Sequence, residues 1–380
     1  MARTATPSPE QIAAQVAERS ARGPVTESKK TINPDNLFPT GSTLLNLACS
    51  DCIEGGPELG TIVTLPGSSS SGKTLLLLTG FADAIHRPRF DGFDFVFDDA
   101  ESALAFDMAK LFGTKTAERV QPPMWDGDRP RPSKTIQDLR ANLLVRTRKD
   151  KPVIYALDSL DTLSSDEELE KDFKAAIARL KDPDDQKKAA GSYHTEKAKI
   201  LGETLRMIND ELERTGSMLF IIQQIRQNLT AGPFGQKYIT SGGMAPFFYS
   251  SHQIWLNKIG TIKAKDRKIG TETKAEVKKN KLTGKLRDCE FQIFYDMGLD
   301  DIGSMVDFMI AEKFWPKRGT TVIAEGLDIE GTRPTTTGSA GTLIEQIEDR
   351  NLERRLRRVV GQAWQEIEDS LRLGRKPRFG

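Results

Sequence analysis

The run Gly67-Ser68-Ser69-Ser70-Ser71-Gly72-Lys73-Thr74 fills every fixed position of the pattern G-x-x-x-x-G-K-[ST]. These residue types at this spacing capture phosphate. Backbone N–H groups of such a loop, and of the helix that follows it, point at phosphate oxygens. Gly67 and Gly72 let the backbone turn tightly. Lys73 places a point charge near the outer phosphates, and the Thr74 hydroxyl can reach Mg²⁺. A nucleotide site of this kind also needs a metal-holding carboxylate at a buried strand end. Val153-Ile-Tyr-Ala-Leu-Asp158 supplies one, with Asp158 expected to hold Mg²⁺ through water. A strand-terminal turn aspartate is the plainer reading of Asp158 taken alone. A second apolar run, Phe93–Phe97, ends in Asp98-Asp99-Ala100-Glu101. Glu101 at the carboxyl end of a strand would lie in the ligand crevice and could orient or deprotonate an attacking water.

These groups need strands and helices to position them. Thr61–Leu65 precedes the glycine loop as a strand, and Leu75 to Ala84 follows it as a helix. Alternation and apolar runs predict further strands at Phe93–Phe97, Val153–Leu157, Met218–Ile222, His252–Leu256, Thr271–Lys278 and Leu286–Tyr295. Val153–Leu157 and Met218–Ile222 are apolar almost throughout, as expected of central parallel strands covered on both faces. The order of elements predicts an α/β core over 37–298 with a mostly parallel sheet flanked by helices. Residues 1–36 read as an N-terminal arm with a short helix from Glu10 to Arg22, which would assist oligomerisation. Residues 299–380 read as a small C-terminal α/β domain with a Thr/Gly/Pro linker at Thr332–Thr342, a helix over Leu343–Leu373 and a basic tail. Two interruptions stand out: a charged helical insertion at 166–190, and a Gly/Ser/Thr/Gln-rich loop at 226–244 whose length suggests function.

The chain has 380 residues, 37% hydrophobic and 29% charged, with a net charge of +1. That suits a soluble globular protein. No run approaches the ~20 apolar residues of a membrane span. The N-terminus lacks the apolar centre of a secretory signal, and three cysteines argue against a disulfide framework. The expectation is a cytoplasmic protein that does not meet a membrane. Cys49-Ser-Asp-Cys52 has zinc-like spacing but no second pair nearby. The segment from Lys258 to Arg287 is strongly basic, which reads either as a polyanion-binding footprint or as a solvated hairpin edge.

Taken in order, several of these segments resemble the RecA recombinase family of bacteria and phages. They are Pro39-Thr-Gly-Ser-Thr-Leu-Leu-Asn-Leu-Ala48, the phosphate loop, Asp99-Ala-Glu101-Ser-Ala-Leu104 and Leu157-Asp158-Ser159. Then come Gln223-Gln224-Ile225-Arg226, Ser241-Gly242-Gly243, Lys278-Lys279-Asn280-Lys281 and Glu290-Phe-Gln-Ile-Phe-Tyr295. The resemblance runs from about residue 38 to 315. It implies a DNA-dependent ATPase that uses ATP and Mg²⁺, forms head-to-tail helical filaments on single-stranded DNA, and exchanges strands with homologous duplex DNA. Single-strand-binding and loader proteins are implied partners. Glu101 matches the glutamate that positions water, and Gln224 the glutamine that senses the γ-phosphate. Lys279 and Lys281 match lysines that reach the ATP of the adjacent subunit; a solvated strand end is the alternative without the family match. Lys199, Arg206, Arg226, Ser241, Gly242 and Gly243 match DNA-binding positions. Phe248 matches an aromatic at the subunit interface, with a buried core ring as the alternative. A hexameric RecA-fold helicase, or a nucleotide-dependent DNA scaffold with little turnover, would share the same phosphate chemistry.

The chain departs from the family pattern in four places. The insertion at 166–190 sits where the first DNA loop begins. Met108 stands where bacterial members stack an aromatic on adenine, and Met244 where many have Asn. The C-terminal end carries Arg372, Arg375, Lys376 and Arg378 where bacterial members end in acids.

Overall fold

The computed structural model describes residues 32–104, 107–148, 151–181, 193–227, 238–327 and 335–375. The chain divides into two compact units, Met1–Asn33 and Pro34–Gly380. The expected helix over Glu10–Arg22 lies outside the described residues, as do Lys376 and Arg378 of the basic tail and part of both interruptions.

In the second unit, α1 (Thr43–Ser50) leads to β1 (Ile62–Gly67), the phosphate loop and α2 (Lys73–Ile85). There follow β2 (Asp94–Asp99), α3 (Met108–Phe112), α4 (Thr114–Arg119), β3 (Val120–Gln121), a small hairpin of β4 (Met124–Asp126) and β5 (Arg129–Arg131), and α5 (Ile136–Thr147). Next come β6 (Val153–Asp158), α6 (Asp166–Lys181), α7 (Tyr193–Thr215), β7 (Met218–Gln227), β8 (Tyr238–Thr240) and α8 (Ala245–Tyr249). A long hairpin of β9 (His252–Ala264) and β10 (Arg267–Asn280) leads to β11 (Asp288–Phe294) and β12 (Gly298–Asp300). The chain then forms α9 (Asp301–Ala311), a three-stranded sheet of β13 (Lys317–Arg318), β14 (Thr321–Glu325) and β15 (Thr335–Gly338), and α10 (Ala340–Asp349) and α11 (Glu353–Ser370).

The main sheet has the order β12-β11-β10-β9-β1-β7-β6-β2-β3, with β8 on β7. From β9 to β3 the neighbours are parallel; β10, β11 and β12 are antiparallel. This is the α/β class expected from the sequence. Strand parity builds the two faces. Phe95 and Phe97 join one cluster with Phe38, Phe81 and Phe220, while Val96 between them joins the other with Tyr155, Leu157 and Ile221. The second face is covered by Leu139 and Leu143 of α5 and Leu201, Leu205, Ile208 and Leu212 of α7. The first cluster continues without a break into Met305, Trp315, Leu343 and Trp364 of the C-terminal region.

Two local expectations change. The Thr332–Thr342 stretch is not a plain linker: Thr335–Gly338 pairs with Val322–Glu325 as a strand, because threonines suit a pleated edge. The single helix expected over Leu343–Leu373 is two, broken where Asn351 takes a positive φ of 52°. The second of these, α11, is tied to the front of the core by a buried carboxylate. Asp301 accepts from the Thr43 N–H and hydroxyl, both at 2.7 Å, and faces Arg357 of α11 at 3.3 Å. Replacing Asp301 with Ala strands a largely buried guanidinium, so we expect a loss of about 3–5 kcal/mol in denaturant unfolding. A variant within 1 kcal/mol of the parent would show that this link is incidental.

Candidate nucleotide and nucleic-acid sites

Register places the chemistry. Gly67 at the end of β1 pairs with Gln224 of β7, and Asp99 at the end of β2 pairs with Asp158 of β6. Leu157 of β6 pairs with Ile221 of β7, so the Gly67/Gln224 pair lies two residues beyond the Asp99/Asp158 pair, all four at the carboxyl ends of parallel strands. Strand order reverses around β1, where open α/β sheets hold ligands.

The loop between β1 and α2 is shaped by its own atoms. The Ser71 hydroxyl donates to the Ser68 carbonyl (2.8 Å), and the Lys73 ammonium donates to the carbonyls of Gly67 (3.0 Å) and Ser68 (2.7 Å). Ser69 and Ser70 are exposed at the tip. Gly72 has φ +86°, and a Cβ there would meet Ile293 Cδ1 at 2.3 Å, so only glycine fits. No side chain caps α2 at this residue, which leaves the first-turn N–H groups for an anion. The Thr74 hydroxyl donates to Asp158 Oδ2 at 2.5 Å. Burial pushes the Asp158 carboxyl up to about 6, opposed by the Thr74 hydrogen bond and the Lys73 charge and aided by Glu101 and Asp99. Burial likewise pulls Lys73 below its ordinary value, against the carboxylates of Asp158 and Glu101.

Glu101 lies at the centre of a small network. Its Oε1 accepts from the Gln224 side-chain amide at 2.9 Å and from the Ser159 hydroxyl in a short bond. Its backbone N–H donates to the Asp158 carbonyl at 3.0 Å. Asp99 shapes the chain beyond, accepting from the N–H groups of Ala103 and Leu104. Met108 starts α3 and is half-buried against the core. Cys49 is buried and Cys52 half-buried, both as free thiols, and burial raises the Cys49 thiol far above its ordinary range. Among the described residues no His/Cys/Asp/Glu group could hold a metal by itself.

A second constellation lies beside the first. Gln223 points to the opposite side of β7 from Gln224, as strand parity requires, and donates to the Ser241 carbonyl at 2.7 Å. Gly242 has φ +84°, and a Cβ there would lie 2.8 Å from both Leu160 and Leu201. The 241–243 segment thus packs against α7. Lys199 and Arg206 are exposed on that helix, seven residues or two turns apart, hence on one face. Arg226 pairs with Asp161 at 3.7 Å. Sequence reasoning gave no role to Gln223, Ser159 or Asp161. Only strand parity could have singled out Gln223, and no sequence signal marks Asp161 beyond its acidity three residues after Asp158. Residues 228–237 of the expected loop lie outside the described residues.

Lys279 and Lys281 are not brought to the phosphate loop. Lys279 pairs with Gln253 and Asn280 with His252, which itself pairs with Val63 near the start of β1. The loop leaves the other end of β1, about 13 Å along the strands and roughly 10 Å across them. The two ammonium groups sit instead at the C-terminus of α8. Lys279 donates to the carbonyls of Phe247 and Phe248 and lies 4.7 Å from the Phe247 ring centre, while Lys281 donates to Phe248 at 3.3 Å. Burial, then the neighbouring Lys281 charge, lowers Lys279 to about 8. Phe248 is 61% exposed, so it is not a core ring.

The basic segment is less free than its composition suggests. Lys274 pairs with Asp288, Lys278 with Glu276, and Lys285 and Arg287 both with Asp51 and Glu368. Lys258, Lys263, Lys265, Arg267 and Lys268 carry no ion pair among the described residues. The last four surround a two-residue hairpin turn at Lys265-Asp266.

A family model described as the RecA N-terminal domain matches residues 11–300. Protein RecA of Colwellia psychrerythraea is 28% identical over 314 residues, covering 82% of this chain and 81% of that protein. Protein RecA of Acidothermus cellulolyticus is 30% identical over 294 residues, covering 77% and 75%. The DNA repair protein recA homolog 3, mitochondrial, of Arabidopsis thaliana is 28% identical over 323 residues, covering 83% and 67%. The match covers the phosphate loop, the Glu101 network and the Lys279 strand together, and the chain belongs to the RecA family of ATP-binding, DNA-binding proteins of recombination and repair.

Proposed function

We propose that this protein is an ATP-dependent recombinase. It assembles head-to-tail as a helical filament on single-stranded DNA and pairs that strand with homologous duplex DNA, in the cytoplasm of a bacterium or a phage-infected cell. The observation that carries this reading is the separation within one chain of two halves of a phosphate site. Lys73, Thr74, Asp158, Glu101 and Gln224 gather at the carboxyl end of the sheet, and Lys279 and Lys281 cluster at the other. A heterologous contact that stacks one end on the other completes the site and, if it does not close, makes a filament.

Roles follow from position. The loop N–H groups and Lys73 hold the triphosphate. The Thr74 hydroxyl and Asp158 carboxylate, 2.5 Å apart, are hard oxygen donors that suit Mg²⁺ and would hold it. When bound, the ion neutralises charge on the phosphates. Glu101 orients the attacking water and takes its proton. Gln224 holds Glu101 through its amide and meets the terminal phosphate. Lys279 and Lys281 of the next subunit stabilise charge on the transferring phosphoryl group. Lys199, Arg206 and Arg226, with the backbone at Ser241–Gly243, grip DNA phosphates without reading sequence.

ATP-driven exchange of homologous strands by the purified protein is the direct assay of this reading. Glu101→Gln should bind ATP normally, hydrolyse it at least ~100-fold more slowly and persist on DNA; turnover near the parent rate would remove Glu101 from the mechanism. A mixing experiment addresses the shared site. Lys73→Ala and Lys279→Ala should each be inactive alone. An equal mixture should regain turnover at about a quarter of the seams, since a random stack joins an intact loop to an intact lysine that often. No recovery would mean that the lysines do not act across a seam. The lowered Lys279 pKa adds a pH test. A triphosphate favours the ammonium form, so assembly must take up a proton once pH exceeds about 8. Assembly on a slowly cleaved ATP mimic should weaken as pH rises from 8, by up to tenfold per unit, and Lys279→Arg should flatten the profile. In the isolated chain the sign is opposite: stability rises between about 8 and the ordinary 10.5, because the unfolded lysine holds its proton more tightly. Identical assembly profiles for parent and Arg variant would contradict the role of Lys279.

A further inference from the structure

The recombinase reading gives no task to Asp161, yet this residue touches both Gln224 of the nucleotide site and Arg226 of the DNA-binding segment. It sits on the short turn Leu160–Thr162 directly after β6. Its side chain is 6% exposed. One carboxylate oxygen, Oδ2, accepts the backbone N–H of Gln224 at 2.8 Å. The other, Oδ1, is buried with no hydrogen-bond partner, and Arg226 Nη2 stands 3.7 Å from it. The Arg226 side chain is itself 67% exposed. Lys197 of α7, half-buried, lies within electrostatic reach of Glu168, Asp161 and Arg226. Lys73 on the nucleotide side feels Asp161 as well.

A nearly buried carboxylate with one oxygen unbonded is costly unless cations lie close. Here the nearest is an exposed arginine at the root of the segment that carries the DNA-binding positions. We infer that Asp161 is a charge latch between the two sites. It fixes the strand end that presents Gln224, and it holds the Arg226 guanidinium in competition with nucleic-acid phosphate. The inference rests on the recombinase reading and adds a regulatory element to it. A single-strand phosphate draws Arg226 outward, where most of its side chain already lies. The Oδ1 atom then loses its nearest positive charge, and the carboxylate bears more strongly on Lys197 and on the Gln224 N–H. The Gln224 amide is 2.9 Å from Glu101, so occupancy of the DNA groove is felt at the hydrolytic carboxylate. Asp161 is thus a positioning residue. It lowers affinity for DNA and transmits its arrival.

The test compares Asp161→Asn, which keeps an acceptor for the Gln224 N–H but removes the charge, with Asp161→Ala, which removes both. Binding of a fluorescent oligo-dT is measured by anisotropy across a salt series with a slowly cleaved ATP mimic. ATP turnover is measured against DNA concentration. Both variants should bind several-fold more tightly across the salt series with the slope unchanged, because Arg226 already meets phosphate in the bound parent. In both, the DNA needed for half-maximal stimulation should fall, and maximal stimulated turnover should fall as well, because the charge that transmits the arrival of DNA is gone. The loss should be larger for Asp161→Ala, which also leaves the Gln224 N–H without its acceptor. In an Arg226→Gln background Asp161→Asn should bring no gain in affinity. A merely structural Asp161 would weaken binding. Unchanged or weaker binding by Asp161→Asn overturns the latch, as does tighter binding that persists in the Arg226→Gln background. A parent protein that binds the oligonucleotide but exchanges no strands refutes the recombinase reading alone, with the affinities still deciding on Asp161. A parent that binds no oligonucleotide overturns both.

Discussion

The acceptor role of Glu101 is the interaction on which the site depends. One carboxylate oxygen receives both the Ser159 hydroxyl and the Gln224 amide, and it stands beside the loop that captures phosphate. Glu101 and its two partners belong to three different strands: Glu101 follows β2, Ser159 follows β6 and Gln224 lies in β7. They meet because parallel register sets Gly67 against Gln224 and Asp99 against Asp158. A one-residue slip of β7 would turn Gln224 to the other face of the sheet and present Gln223 in its place. The apolar packing of Phe95, Val96 and Phe97 into alternate clusters holds β2 in register and so holds the network.

Sheet polarity then separates the work. Anion-capturing groups collect at the carboxyl ends of the parallel strands. The antiparallel return of β10 carries Lys279 and Lys281 to the opposite end. They rest there on the last carbonyls of α8, where helix polarity favours cations. A nucleotide that needs both ends is a natural adhesive between copies. The same strand, β7, runs from the nucleotide crevice toward the segment that carries the proposed DNA contacts. Its two neighbouring glutamines divide the contacts: Gln224 to Glu101, Gln223 to Ser241. In the proposed recombinase, coupling between ATP and DNA has a short physical route along one rigid element.

Much of this was legible in the chain. The strands before Gly67, Asp99 and Asp158 were marked by apolar runs, and the phosphate loop by its fixed residues. What the sequence hid was partnership over distance. Lys285 and Arg287 read as part of a free basic footprint, but their partners Asp51 and Glu368 lie far away in sequence, 234 residues in the case of Lys285 and Asp51. The β9–β10 hairpin extends well past the expected strands because its solvated end carries lysines without breaking the ladder. Asn351 divides the C-terminal helix through a backbone angle that no hydrophobic period reveals. Asp161 carried no motif, and its importance appears only when Gln224 and Arg226 are seen on either side of it.

The central claim is that a triphosphate joins the loop end of one subunit to the lysine end of the next. Electron microscopy of the protein on single-stranded DNA, with magnesium and a slowly cleaved ATP mimic, tests it most directly. The account predicts continuous helical filaments with density for the nucleotide at each seam, between Lys73 of one subunit and Lys279 of its neighbour. Closed six-fold rings, isolated monomers, or filaments whose nucleotide lies wholly within one subunit would contradict it.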